Sequence, residues 1–261
     1  MSAVTEAAAA LRGLAAQAPH RGGVIRLTRA GRVGTLTIDH PAARNALTLD
    51  MMASIADAVD ALTAWDEGAL LVIRSSDPRA FCSGGDLAQV VAAVDGPPAA
   101  AVMCQAMRTT LAALLALPMV SVAQVDGVAL GGGAELATAT DARVFGPDAR
   151  LRFVQARLGI ASGWGGVERL VALVGRTAAL RIAGTAPWLD GPAARALGLA
   201  EPETALSDWL ARWDEIPTGA IRAAKAQVTA AVRHDTAADV AAFAGVWGGP
   251  DHRAALAGRT R

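Results

Sequence analysis

The segment Gln124-Val-Asp-Gly-Val-Ala-Leu-Gly-Gly-Gly-Ala-Glu135-Leu joins an apolar, strand-like run to a helix-compatible stretch through three consecutive glycines, Gly131 to Gly133. Glycine at such a junction lets a ligand approach the backbone closely, and the first N–H groups of a helix have no partner within it. With the partial positive charge of a helix start, these groups suit a developing oxyanion. Glu135, in the first turn, would place a carboxylate nearby. The same glycines would equally serve to pack a helix against a sheet. A second junction, Arg79-Ala-Phe-Cys-Ser-Gly84-Gly85-Asp86-Leu, follows another apolar run, Ala69 to Arg74. Asp86 is placed there to cap the next helix, a structural role. Two junctions, each offering one N–H, meet the requirement of a two-donor oxyanion hole.

Composition narrows the function classes. The 261 residues are 53% hydrophobic, enough for one sizeable core or a core with a small appended subdomain. No uninterrupted apolar run approaches the ~18 residues of a membrane span. Formal net charge is zero with scattered basic residues, so no nucleic-acid footprint is expected. Cys82 and Cys104 are too few for a disulfide framework and lack metal-ligand spacing. Cys82 has no histidine near it in sequence and reads as a small packing residue rather than a nucleophile. The alanine-rich start, Met1 to Gln17, lacks the pattern of a secretory signal and reads as a short helix or a frayed tail. The expectation is a soluble, cytoplasmic protein without a metal.

The elements that must position these groups follow from periodicity. Val24 to Thr28 and Val33 to Asp39 read as a hairpin through Ala30-Gly31. Thr48 N-caps a helix running to about Ala64, with Met51, Met52, Ile55, Ala58, Val59 and Leu62 on one face. After the Ala69 strand, a short helix runs to Val94 and Gly96-Pro97-Pro98 breaks it. A long helix then covers Pro98 to Leu117, and strands follow at Val120 and at Ala142 to Phe145. From Gly163 onward the strands run out and helices follow at 166–173, 177–183, 192–197, 204–213, 217–233 and 236–246. Strand–helix alternation followed by helices implies an α/β core with an appended helical region. The division expected is 1–20, 21–195 and 196–261.

From about Gly23 to the C-terminus the chain resembles the crotonase (enoyl-CoA hydratase/isomerase) superfamily. The resemblance rests on Phe81-x-x-Gly84-x-Asp86 followed by Gly132-Gly133-x-Glu135-Leu136, with Ala43-Arg-Asn-Ala-Leu47 upstream. It implies a spiral of β-β-α turns, C-terminal helices that mediate trimerisation, and a homotrimer or homohexamer acting on an acyl-CoA. Coenzyme A would be part of the substrate, with no separate cofactor. The resemblance assigns the thioester carbonyl to the N–H groups of Gly85 and Gly132, and a catalytic carboxylate to Glu135. It places Arg44, Ala46, Cys82, Gly84, Gly131, Trp164 and Trp247 around the substrate or its CoA, with Arg44 at a phosphate. Lys225 or Arg233 would also meet the CoA phosphates, and His20, His40, His234 and His252 match no catalytic position.

One departure from the pattern bears on the reaction. The second glutamate of the hydratases would stand four residues before Gly159, where this chain has Gln155. A glutamine cannot act as a general base. An amide suits a substrate that brings its own carboxylate, because two like charges about 4 Å apart in a dry pocket would repel by several kcal/mol. Arg152-Phe-Val154, Ser162-Gly-Trp164-Gly-Gly166 and Val246-Trp247-Gly-Gly-Pro250 resemble the branch of the family that decarboxylates ethylmalonyl- and methylmalonyl-CoA. The leading expectation is thus an acyl-CoA decarboxylase working through an enolate. The alternatives are an enoyl-CoA hydratase or other lyase using Glu135 alone, and a CoA-binding scaffold, which would have no need of Glu135 and both glycine junctions.

Overall fold

The computed structural model describes residues 1–202 and 204–259. Helix α1 (Ala3–Ala15) starts from Ser2, whose hydroxyl accepts the Thr5 N–H, and buries Ala8, Leu11 and Leu14. It packs on α2 and α4, so the N-terminal stretch is a docked helix and not a frayed tail. β1 (Val24–Ala30) and β2 (Val33–Asp39) form the antiparallel hairpin. α2 (Leu49–Thr63) follows with Thr48 Oγ1 accepting the Met51 N–H at 3.2 Å. β3 (Leu70–Ser75), α3 (Leu87–Ala93) and α4 (Gly96–Leu115) come next. α4 begins two residues earlier than expected, because proline is tolerated in a first helical turn.

β4 (Val120–Val125), β5 (Val128–Leu130), α5 (Gly132–Ala137), β6 (Ala142–Phe145) and β7 (Arg150–Arg152) complete the strand-rich part. α6 (Gly166–Thr185) is two helical pieces kinked at Gly175, whose φ is 74°. Strands do not quite run out after Gly163: β8 (Leu189–Asp190) pairs antiparallel with β7. Two residues leave too little periodicity to read. α7 (Gly191–Ala196), α8 (Leu206–Ala211), α9 (Thr218–Val232), α10 (Thr236–Val246) and α11 (Pro250–Arg259) close the chain.

The main sheet has the order β1-β2-β3-β4-β6, parallel from β2 onward, and a second sheet has the order β5-β7-β8. Parallel strands covered on both faces are apolar where they are buried, as Leu70 to Ile73 of β3 are. Leu71, Ile73, Ala123 and Val125 face the core that contains α1, α2 and α4. Val72, Val122 and Val144 face Trp209 of α8, while Leu70 meets Ile221 of α9. Arg222 donates to the carbonyls of Trp65 and Gly68 at 3.1 Å, and Lys225 pairs with Asp141, fastening α9 to its own sheet. Among the described helices only α4 is long and apolar enough to cross a membrane. Its Met107, Leu111 and Leu114 lie in the core, and Arg108 at its middle pairs with Glu168.

Candidate active site

The two glycine junctions meet. Cys82 runs alongside β5, its N–H donating to Val128 O at 3.1 Å and its carbonyl accepting the Leu130 N–H at 2.9 Å. This alignment carries Gly84 and Gly85 to the start of α5. A methyl group on Gly84, whose φ is 98°, would lie 3.2 Å from Gly132 N and 3.1 Å from Leu130 O. Neither the Gly85 nor the Gly132 N–H has a hydrogen-bond partner among the described residues. Gly84 O accepts the Leu47 N–H at 2.7 Å, and Leu47 O accepts the Asp86 N–H at 2.8 Å. The first junction is thereby zipped to the 43–47 loop. Asp86 accepts the Gln89 N–H at 3.0 Å and caps α3.

Trp164 lies across both junctions. Its ring carbon Cζ3 is 2.2 Å from where a β-carbon on Gly132 would stand, and Cζ2 is 3.8 Å from the equivalent point on Gly85. Only glycine at 132 lets the indole approach so closely.

Glu135 is buried and holds four hydrogen bonds. Its Oε1 accepts from Ser162 Oγ at 2.5 Å, Trp164 N at 2.8 Å and Gly166 N at 2.9 Å. Its Oε2 accepts from Gln155 Nε2 at 2.8 Å. Gln155 is itself buried, at the start of a 3-10 turn, and its Oε1 has no partner. The site therefore holds one carboxylate clamped to one neutral amide. Its free groups are two backbone donors, the second Gln155 amide N–H and the amide acceptor Oε1. That combination can hold an oxygen bearing negative charge and a water or protonated group beside it.

The sequence profile of the enoyl-CoA hydratase/isomerase family matches residues 28–248. The chain belongs to the enoyl-CoA hydratase/isomerase family. A chicken (Gallus gallus) relative named ethylmalonyl-CoA decarboxylase is 38% identical over 259 residues, covering 92% of this chain and 85% of the relative. The human (Homo sapiens) protein of that name is 34% identical, covering 86% and 77%. A solved structure from Streptomyces coelicolor A3(2), described as an enoyl-CoA hydratase, superposes with a TM-score of 0.84 at 27% identity, covering 93% of this chain and 94% of the other. The crotonase-type fold expected from the sequence is thus the fold observed, and the protein is an enzyme.

Within this enoyl-CoA hydratase/isomerase fold, the remaining candidates divide. Arg44 is exposed and left-handed, with φ 52°. Ala46 is buried beside it, its carbonyl 2.9 Å from His40 Nδ1. Asn45 Oδ1 accepts the His40 N–H and its Nδ2 donates to Ala80 O, which fixes the loop. Gly131, with φ 54°, donates its N–H to Arg152 O at 2.9 Å. Cys82 has a structural part: its Sγ accepts the Gly84 N–H at 3.4 Å, its side chain is sealed in the core, and burial pushes the thiol up to about 12, so it remains a thiol. Lys225 is committed to Asp141.

Within one chain Trp247 stands apart from these groups. It is 64% exposed at the end of α10, with ring centres 5.2 Å from Phe243 and 4.5 Å from His252. It lines a separate groove with Pro217, Ala220 and Val246. The Trp-Gly-Gly spelling said nothing about where the C-terminal helices would leave it.

Arg169 and Ser162 are the members of the site that the sequence did not single out. Arg169 Nη2 donates to Trp164 O at 2.9 Å and Glu135 O at 3.0 Å. Burial pulls its guanidinium down to about 10, opposed by the nearby Glu135 and Glu168 carboxylates. Its position one turn into α6 after the glycines was the available signal.

Proposed function

We propose that this enzyme is a CoA-thioester lyase that removes CO2 from short 2-alkylmalonyl-CoA thioesters such as methylmalonyl- and ethylmalonyl-CoA. The observation that carries the reading is Gln155: where two-carboxylate hydration would need a second acid–base group, an amide donates to Glu135. The relatives named ethylmalonyl-CoA decarboxylase support it. In the proposed reaction the thioester oxygen sits between the N–H groups of Gly85 and Gly132. The electrons of the C2–carboxylate bond pass into the carbonyl to give an enolate, and CO2 leaves. The enolate then collapses as C2 takes a proton from the carboxylic acid form of Glu135, directly or through a water that donates to Gln155 Oε1, and the carboxylate left behind regains that proton from solvent. The carboxylate that departs replaces the proton a base would remove, so one carboxylate suffices. Two preorganised donors, each worth about 3–4 kcal/mol in the transition state, supply the main stabilisation.

The free atom of Gln155 refines how the substrate carboxylate is handled. One amide N–H is given to Glu135, which leaves the second N–H and the unpartnered Oε1, so Gln155 presents a neutral group that can both donate and accept where a second carboxylate would stand. Gln155→Glu would add a second negative charge within hydrogen-bond distance of Glu135 and beside the substrate carboxylate. We expect the variant to raise KM for malonyl-type substrates by roughly 5- to 150-fold, about 1–3 kcal/mol, while crotonyl-CoA hydration is unchanged or rises. Mass spectrometry of both proteins with malonyl-, methylmalonyl-, ethylmalonyl- and crotonyl-CoA reads both reactions. Brisk hydration by the wild type without CO2 release would replace this reading by that of a Glu135-only hydratase.

We also propose a homotrimer or dimer of trimers. Val228 and Val232 lie one turn apart on α9 and are 62% and 75% exposed, and Phe243 of α10 is half exposed. Apolar faces of this kind mark association surfaces. Light scattering at micromolar concentration is expected to give three or six times the chain mass, and a monomer would refute it.

A further inference from the structure

We infer that Trp164 sets an upper limit on the acyl chain at C2, restricting the enzyme to thioesters with a one- or two-carbon substituent there. This inference rests on the proposed seat of the thioester carbonyl but not on the loss of CO2.

The indole occupies the space beside both free backbone donors, filling the position a β-carbon on Gly132 would take and lying 3.8 Å from where one on Gly85 would stand. A carbonyl oxygen bound to those two N–H groups has its carbon one bond away and C2 two bonds away. C2 and its first substituent must then lie against the ring.

The ring cannot swing aside easily. The Trp164 N–H is held by Glu135 Oε1 and its carbonyl by Arg169, which also grips Glu135 O. On the preceding residue, Cys104 Sγ of α4 donates to Gly163 O at 2.6 Å. These bonds fix the backbone that carries the ring, and close packing around the indole itself leaves it little room to rotate, so it acts as a fixed wall. Only 5% of Trp164 is exposed, so a substituent meets packed indole and not a yielding loop. A wall of this kind also keeps water from C2 where charge disperses as a carboxylate leaves.

The test uses saturated acyl-CoAs, which carry no carboxylate to lose: acetyl-, butyryl-, hexanoyl- and octanoyl-CoA, titrated by calorimetry. For the wild type, affinity is expected to improve to butyryl-CoA and then stop or fall. Trp164→Ala should let it continue to rise, by roughly 4-fold in Kd per methylene accommodated. Trp164→Phe, which keeps an aromatic ring and serves if the alanine variant does not fold, should move the break to hexanoyl-CoA. A wild-type affinity that climbs steadily to octanoyl-CoA, or a break that stays in place in a folded variant, overturns the inference. A chain-length break that responds to Trp164, without CO2 release from any malonyl-type thioester, would retain the wall and overturn only the decarboxylase reading.

Discussion

Gly132→Pro is expected to lower kcat by about 10²- to 10³-fold, because it deletes one of the two backbone donors assigned to the thioester oxygen. Proline is tolerated at the first helical position, where Gly132 stands in α5, so the helix itself should survive. The side-chain ring is the complication, since any β-carbon at 132 would strike Trp164 at 2.2 Å. The comparison is therefore made in a Trp164→Ala background. There Gly132→Ala keeps the N–H and Gly132→Pro removes it, so their difference in kcat reports the donor alone. Gly85→Ala is the matching control at the other junction. Its β-carbon would make ordinary contacts of 3.4 Å with Met52 and Val90 and 3.8 Å with Trp164. It should leave kcat within a few-fold of wild type, since the backbone N–H stays. Equal kcat for the alanine and proline variants would place the thioester carbonyl elsewhere.

The reach of the sequence follows from how local each feature is. Thr48, Asp86 and the glycine junctions were legible because caps and turns depend on residues within a few positions. The meeting of Gly84 with Gly132 was legible only through the resemblance, as α3, α4, β4 and β5 lie between them in the chain. Gln155 was visible as a substitution, but its direction was not. That depends on a 3-10 turn aiming Nε2 at Glu135 and leaving Oε1 free. The docking of α1 was ambiguous because alanine-rich helices carry little apolar signal, yet small residues let α1 pack closely on α2 and α4. Trp247 shows the reverse limit. A short string can match a family branch while its place in space is set by how α9 to α11 pack, which the string does not encode.

Glu135 joins two roles that one substitution can separate. Glu135→Ala would leave the Ser162 hydroxyl and the N–H groups of Trp164 and Gly166 unpaired, each costing about 1–3 kcal/mol where buried. Its loss of activity would say nothing about proton transfer, because the loop carrying Trp164 would loosen with it. Glu135→Gln behaves differently. The amide oxygen can replace Oε1 and keep those three bonds, while the amide NH2 faces Gln155. A half-turn of the Gln155 amide then presents its presently unpartnered Oε1 as the acceptor. The clamp is preserved, and Tm should stay within a few degrees of the wild type. The variant nonetheless has no acidic proton to give the enolate, so kcat should fall by about 10²- to 10⁴-fold, as when a general acid is removed. Binding of a saturated acyl-CoA should be nearly unchanged, since the two backbone donors and Trp164 remain in place. Deuterium incorporation at C2 in D2O, with CO2 release followed separately, shows which half of the reaction has slowed. A Glu135→Gln enzyme that turns over at the wild-type rate would make Glu135 the clamp of the Trp164 loop alone and require another proton source.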